Sequence, residues 1–210
     1  MVGGHLLRLL LDDPDYASVT VLTRRSFGRS EPRLVEHVVD FDRPETYRPH
    51  AGADDVFCCL GTTIKKAGSQ EAFRKVDFAY PVAVAGAAAE AGARQLLVVT
   101  AVGADPKSRV FYNRVKGEVE EALRALPFPT GVKIFRPSML LGERGESRPA
   151  ERVGVALMSF TAPLFIGGLT AYRAIEGADV ARAMWAAAKR EPAGTRVYEG
   201  ESLFALARRG

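Results

Sequence analysis

Apolar positions along the chain switch between two spacings. In Val2–Leu11 they recur at helical spacing, with Leu6, Leu7, Leu10 and Leu11 on one face. Val19–Thr23, Val35–Phe41 and Asp55–Leu60 are short β-branched or continuous apolar runs bounded by turn-forming residues, and they read as strands. A helical pattern then runs from Ser69 to Gly92, where the glycine closes it, and Pro81 inside it predicts a bend or a split. Arg94–Ala101 reads as the next strand and Tyr112–Leu126 as a helix stopped by Pro127 and Pro129. Gly131–Leu140 is a further strand. Gly177–Arg190 is a helix with Asp179 near its start and Lys189 and Arg190 at its end, the polarity that the helix dipole favours. Strands apolar on both faces, alternating with helices, predict an α/β fold: a parallel sheet covered by helices on both faces.

Composition narrows this picture. The 210 residues, 47% hydrophobic and 26% charged, fit one domain with an ordinary core. We expect a core over 1–150 and a smaller covering part over 151–210. The net charge of +4 is spread as single or paired arginines, without a basic run or an interleaved aromatic patch, which argues against a nucleic-acid partner. Val153–Tyr172 carries no charge and is marginal in length for a bilayer. It reads as a segment covering a substrate, with peripheral membrane contact or a protein partner as the alternatives. Cys58 and Cys59 are adjacent in a strand and so point to opposite faces, which predicts free thiols and a cytoplasmic location. No metal-ligating pattern stands out.

The candidate chemistry gathers at predicted strand ends. Tyr112 and Lys116 are four apart on one helix and share a face. An ammonium beside a phenol favours the phenolate, so the pair can pass a proton to or from a carbonyl or carbinol oxygen. Leu60, Gly61 and Thr62 end one strand, and Arg136–Pro137–Ser138 ends another. Carboxyl ends of parallel strands are where open α/β sheets bind ligands. Arg24 and Arg25 end the strand after the first helix. At that position of a dinucleotide site, arginine accommodates the 2′-phosphate of NADP where an acidic residue would bind NAD. Asp40 and Phe41 end the following strand and would flank the adenine.

These stretches carry a resemblance. "LGTTIKKAGSQEAFRKVDFAY", "GADPKSRVFYNRVKGEVE", "IFRPSMLLGERGESRP" and "YRAIEGADVARAM" cover most of Cys58–Met184. With them the chain resembles the atypical short-chain dehydrogenase/reductases, more narrowly the Tat-interacting-protein-like oxidoreductases. The resemblance implies a Rossmann-type fold, NADP(H) as cofactor and a small-molecule carbonyl substrate. It implies Tyr112 and Lys116 as the catalytic pair. It places Arg24 and Arg25 at the 2′-phosphate, Gly61 and Thr62 along the cofactor, and Pro137 and Ser138 beside the nicotinamide. Where that family has a serine pair, this chain has Thr100 and Ala101, so Thr100 is the candidate to polarise a substrate carbonyl. The competing expectation is a non-catalytic NADP(H)-binding regulator; a third is a remnant that binds nothing.

One departure concerns the fold. The family begins with a strand and a turn of the form G-x-x-G-x-x-G, and Gly3 fits only its last glycine. We therefore expect the first strand to be missing, through a start codon placed too late or a fragment. The slot between Val19–Thr23 and Asp55–Leu60 should then be empty or closed by direct pairing. The helix from Val2 should be the least secure helix.

Overall fold

The computed structural model describes residues 2–141 and 173–209. The chain runs α1 (Val2–Asp12), β1 (Val19–Thr23), β2 (Leu34–Val38), β3 (Asp55–Cys58), α2 (Ile64–Ala67), α3 (Gln70–Arg74) and α4 (Tyr80–Glu90). It continues with β4 (Gln95–Val99), α5 (Phe111–Arg124), β5 (Val132–Arg136), β6 (Leu140–Leu141), β7 (Ile175–Glu176), α6 (Gly177–Arg190), β8 (Arg196–Glu199) and α7 (Gly200–Ala207). Between α3 and α4 the helix widens into a π-turn over Lys75–Ala79. Pro81 follows directly and cannot donate to the preceding turn, so the expected irregularity falls just before it.

The expected parallel sheet is present, in two pieces. β3, β4, β5 and β8 form a four-stranded parallel sheet, and β1 pairs in parallel with β2. Among the described residues no strand joins β1 to β3. The slot is open, not closed by direct pairing, and it forms a cleft of ≈ 1270 Å³ lined from both sides. β6 and β7 make a separate two-residue parallel ribbon.

Strand alternation divides the core. Leu97 and Phe135 point to the side covered by α1, α6 and α7, while Leu96, Val98 and Ile134 point to the side of α4 and α5. Cys58 packs on the second side and Cys59 on the first, so both are free, as their adjacency in a strand requires. Burial pushes the Cys59 thiol up to about 12, which leaves it protonated and unreactive at neutral pH.

Two expectations change. The described residues of 151–210, a stretch expected to cover the core, also take part in it. β8 extends the sheet beside β5, and α6 contributes Val180, Ala181 and Met184, fully buried. The uncharged Val153–Tyr172 segment lies outside the described residues. α1 is also firmly held. Val2, Leu6, Leu10 and Leu11 are buried against the α6 side of the core. Arg33 donates to the carbonyls of Asp13, 2.7 Å, and Tyr16, 2.8 Å, and to that of Leu11, so it closes the helix end. Asp13 accepts hydrogen bonds from Trp185 and Lys189 of α6, both 2.7 Å. Side-chain packing and these contacts at its end secure α1.

Candidate functional site

The segment after β3, the π-turn and the first turns of α5 meet around one buried ion pair. Lys116, on α5, reaches Asp77 in the π-turn with Nζ–Oδ1 2.8 Å, and their side chains are 7% and 0% exposed. The backbone N–H of Thr62 donates to Asp77 Oδ2, 2.8 Å. Gly61 lies against the pair: a Cβ there would stand 3.4 Å from Asp77 Oδ1 and 3.9 Å from Lys116 Nζ. The Lys116 ammonium supplies Oδ1 with a countercharge, but no donor is aligned on that oxygen for a hydrogen bond. The widened turn is what swings Asp77 inward. A carboxylate buried this completely needs its two partners, because an unpaired one is strongly disfavoured.

Tyr112 sits one turn before Lys116, half-buried, its ring 5.4 Å from that of the buried Phe73. The loop after β4 fixes where this helix starts. Asp105 N–H donates to the Asn113 carbonyl, 3.0 Å, and the Pro106 backbone lies directly on Gly117. A Cβ at Gly117 would fall 2.1 Å from Pro106 N, so only glycine permits the contact.

Other predicted residues spread along the same rim. Val102 N–H donates to the Pro137 carbonyl, 3.0 Å, which joins the ends of β4 and β5. Ser138 donates its hydroxyl to the Arg173 carbonyl. Leu60 and Gly3 both line the cleft between β1 and β3. Arg24 and Arg25 are exposed past the end of β1, and neither forms an ion pair among the described residues. Asp40 is exposed and its carboxylate accepts Asp42 N–H, 2.9 Å. Phe41 is buried, 6% exposed, and packs at a tilt against Tyr47 and Tyr80, so its ring serves the core.

Thr100 departs from its expected role. It is buried, and its hydroxyl donates to Glu120 Oε1, 2.7 Å. Glu120 is completely buried and also receives Arg136 through Nε, 2.9 Å, and Nη2, 2.6 Å, and Arg124 through Nη2, 2.9 Å. The Thr100 proton is thus committed to a structural carboxylate and does not point to a substrate oxygen. Asp77 is the residue that sequence reasoning did not single out. Its signal was a charged residue on an otherwise apolar helical face, four before Pro81.

No protein-family model matches the chain. It is 38% identical to Protein HTATIP2 of Rattus norvegicus over 153 residues, 71% of this chain and 62% of that protein, so it spans less than two thirds of that relative's length. It is 32% identical to "Protein FMP52, mitochondrial" of Candida albicans over 188 residues, 87% of this chain and 81% of that protein. Among solved structures it resembles MoeE5 in complex with UDP-glucuronic acid and NAD, with TM-score 0.68 at 16% identity over 95% of this chain and 73% of that one. It also resembles the human epimerase family protein SDR39U1 with NADPH, with TM-score 0.59 at 18% identity over 95% of this chain and 70% of that one. At such identities these structures establish the fold alone. The cytoplasmic location inferred from the free cysteines is overturned by the fungal relatives, which are named mitochondrial. Free thiols with a raised pKa, one buried and one half-buried, do not discriminate between compartments. From the identity and coverage of these relatives, together with the fold, the chain belongs to the Tat-interacting-protein-like family of atypical short-chain dehydrogenase/reductases.

Proposed function

We propose that the protein is an NADP(H)-dependent oxidoreductase acting on a carbonyl or carbinol substrate. The observation that carries this reading is the buried Lys116–Asp77 pair beneath Gly61–Thr62, with Tyr112 one turn away on the same helix. The donor set fits a dinucleotide. An ammonium and a glycine-lined strand end suit a ribose, and two exposed guanidinium groups past β1 suit a phosphate monoester. When bound, a nicotinamide supplies or accepts the hydride. The chain's own work is with protons and position. Tyr112 gives its phenolic proton to the substrate oxygen on reduction and takes one back on oxidation. Lys116 presents its ammonium one turn along the same helix, and Asp77 fixes where that charge sits. Pro137 and Ser138 bound the same rim.

The test is Tyr112→Phe. The variant should keep NADPH affinity within a few-fold and lose at least about 10²-fold in kcat on any carbonyl substrate that the parent reduces. Wild-type turnover in Tyr112→Phe removes the phenol from the mechanism. A second reading, a cofactor-binding regulator without turnover, is favoured by one observation: the Thr100 hydroxyl is spent on Glu120, leaving carbonyl polarisation to Tyr112 alone. NADPH binding without turnover across a panel of aldehydes, ketones and quinones would support that second reading.

A further inference from the structure

The π-turn that carries Asp77 is closed by a bond from the N–H of Tyr80 to the carbonyl of Lys75. The side chains of these same two residues converge on a single carboxylate. Lys75 Nζ donates to Asp42 Oδ2, 2.7 Å, and the Tyr80 hydroxyl donates to Asp42 Oδ1, 3.0 Å. Each oxygen of Asp42 thus holds one flank of the turn. In a regular α-helix, residues five apart point about 140° away from one another, because each step turns about 100°. A turn closed by an i to i+5 bond brings them over one another. The Asp42 clamp therefore matches the widened turn and not the α-helical turn that would replace it.

Asp42 is itself held in place. Its N–H donates to Asp40 Oδ1, 2.9 Å, and Asp40 N–H donates to Thr46 Oγ1, 3.1 Å. Beside it, the ring of the buried Phe41 lies 5.5 Å from that of Tyr80. Lys75 and Asp42 are half exposed, 49% and 47%, and an exposed ion pair alone contributes little. The clamp draws on more than that charge pair: on both carboxylate oxygens, on a tethered loop and on the packing of two rings.

Within the same turn, Asp77 meets Lys116 Nζ, 2.8 Å, and the Thr62 N–H, 2.8 Å. One five-residue segment thus contacts both the loop after β2 and the buried ion pair. We propose that Asp42 is a positioning residue: it holds the π-turn in the form that presents Asp77 to Lys116 and Thr62, and so couples the loop of Asp40, expected beside the adenine, to the pair expected at a ribose. An element with two hydrogen-bond registers, π and α, is the kind that such coupling requires. The coupling rests on the cofactor reading above. The clamp on the turn does not, and the two arms of the experiment separate them.

The first arm measures amide hydrogen exchange without ligand in the parent, in Asp42→Ala and in the double variant Lys75→Met with Tyr80→Phe, which removes both partners and leaves Asp42 in place. Thr62 and Tyr80 should exchange at least about fivefold faster in both variants. Thr100, whose N–H bonds to the Phe135 carbonyl, 2.8 Å, should stay within about twofold and so report an intact fold. Thr62 within about twofold of the parent in either variant, or Thr62 and Thr100 accelerated alike, overturns the proposal. The second arm adds saturating 2′,5′-ADP, the adenosine half of NADP without the nicotinamide, with binding followed by calorimetry. It should slow Thr62 at least about threefold in the parent and leave it unslowed in Asp42→Ala. Binding without that slowing in the parent, or equal slowing in Asp42→Ala, overturns the coupling. Absence of binding overturns the cofactor reading and the coupling with it, and the first arm still decides the clamp.

Discussion

At the scale of single residues, the Lys116–Asp77 pair decides most. Both groups are out of water, and Asp77 has only the ammonium and the Thr62 N–H to offset its burial. Taking away one partner of such a pair costs about 3–5 kcal/mol, because the other charge remains buried and uncompensated. Asp77→Asn should therefore destabilise the fold by roughly that amount in urea unfolding. Adding Lys116→Met should restore most of the loss, since no charge is then stranded. Strictly additive losses in the double variant would mean that the two side chains do not act as a pair. The Glu120 cluster differs in kind. Its carboxylate has three charged or hydroxyl partners, from just past β4, from α5 and from the end of β5, so it ties the rim together without exposing an atom to a ligand.

At the scale of elements, α1 and α6 are joined through Asp13. Burial pushes the Asp13 carboxyl up, but Lys189, the Asp15 N–H and Trp185 together outweigh it and hold the carboxyl below the usual carboxylate range. A carboxylate whose pKa is lowered on folding stabilises the folded state above its unfolded pKa, here 3.8, and that contribution fades as pH falls through the lower folded value. Melting temperature should fall between about pH 4 and pH 2 in the parent. Asp13→Asn should be less stable at neutral pH and show a shallower acid fall. A variant with an unchanged acid slope would mean that the α1–α6 tie contributes nothing there. α5 offers a second check. Gly117→Ala forces the Pro106 backbone off the helix and should cost about 1–3 kcal/mol. In the same variant, the loop from Ala101 to Arg109 should exchange its amides faster.

At the scale of the whole molecule, the proposed cofactor would run along the strand ends. On that reading Lys116, Gly61 and Thr62, which are in mutual contact, would meet one end, and the exposed Arg24 and Arg25 past β1 would meet the other. On the proposed reading, one charge-assisted contact to a 2′-phosphate, worth about 1.5–3 kcal/mol, gives NADPH a preference over NADH of roughly ten- to hundredfold. Fluorescence titration with both cofactors measures it, and Arg24→Ala with Arg25→Ala should bring the ratio close to one. A ratio near one in the parent, or a preference that survives the double variant, assigns the arginines to the solvated surface instead.

Much of this architecture is written in local pattern. The two apolar spacings name β1, β3, β4, β5 and most helices, since backbone hydrogen bonding allows few arrangements and each leaves its own period. Motif spacing likewise puts Gly61 and Pro137 past strand ends and Tyr112 and Lys116 one turn apart on one helix. What the sequence leaves open is set by contacts between residues far apart in the chain. β8 was hidden because Arg196–Glu199 alternates too briefly to stand out, and only pairing with β5 makes it a strand. Asp77 acquires a role only when a π-turn and α5 bring it against Lys116. Thr100 loses its expected role because Glu120, twenty residues on, captures its proton. Local period and propensity act over a few residues and can be read along the chain. Charge pairing, hydroxyl direction and burial depend on which segments meet, and the tertiary structure alone decides that.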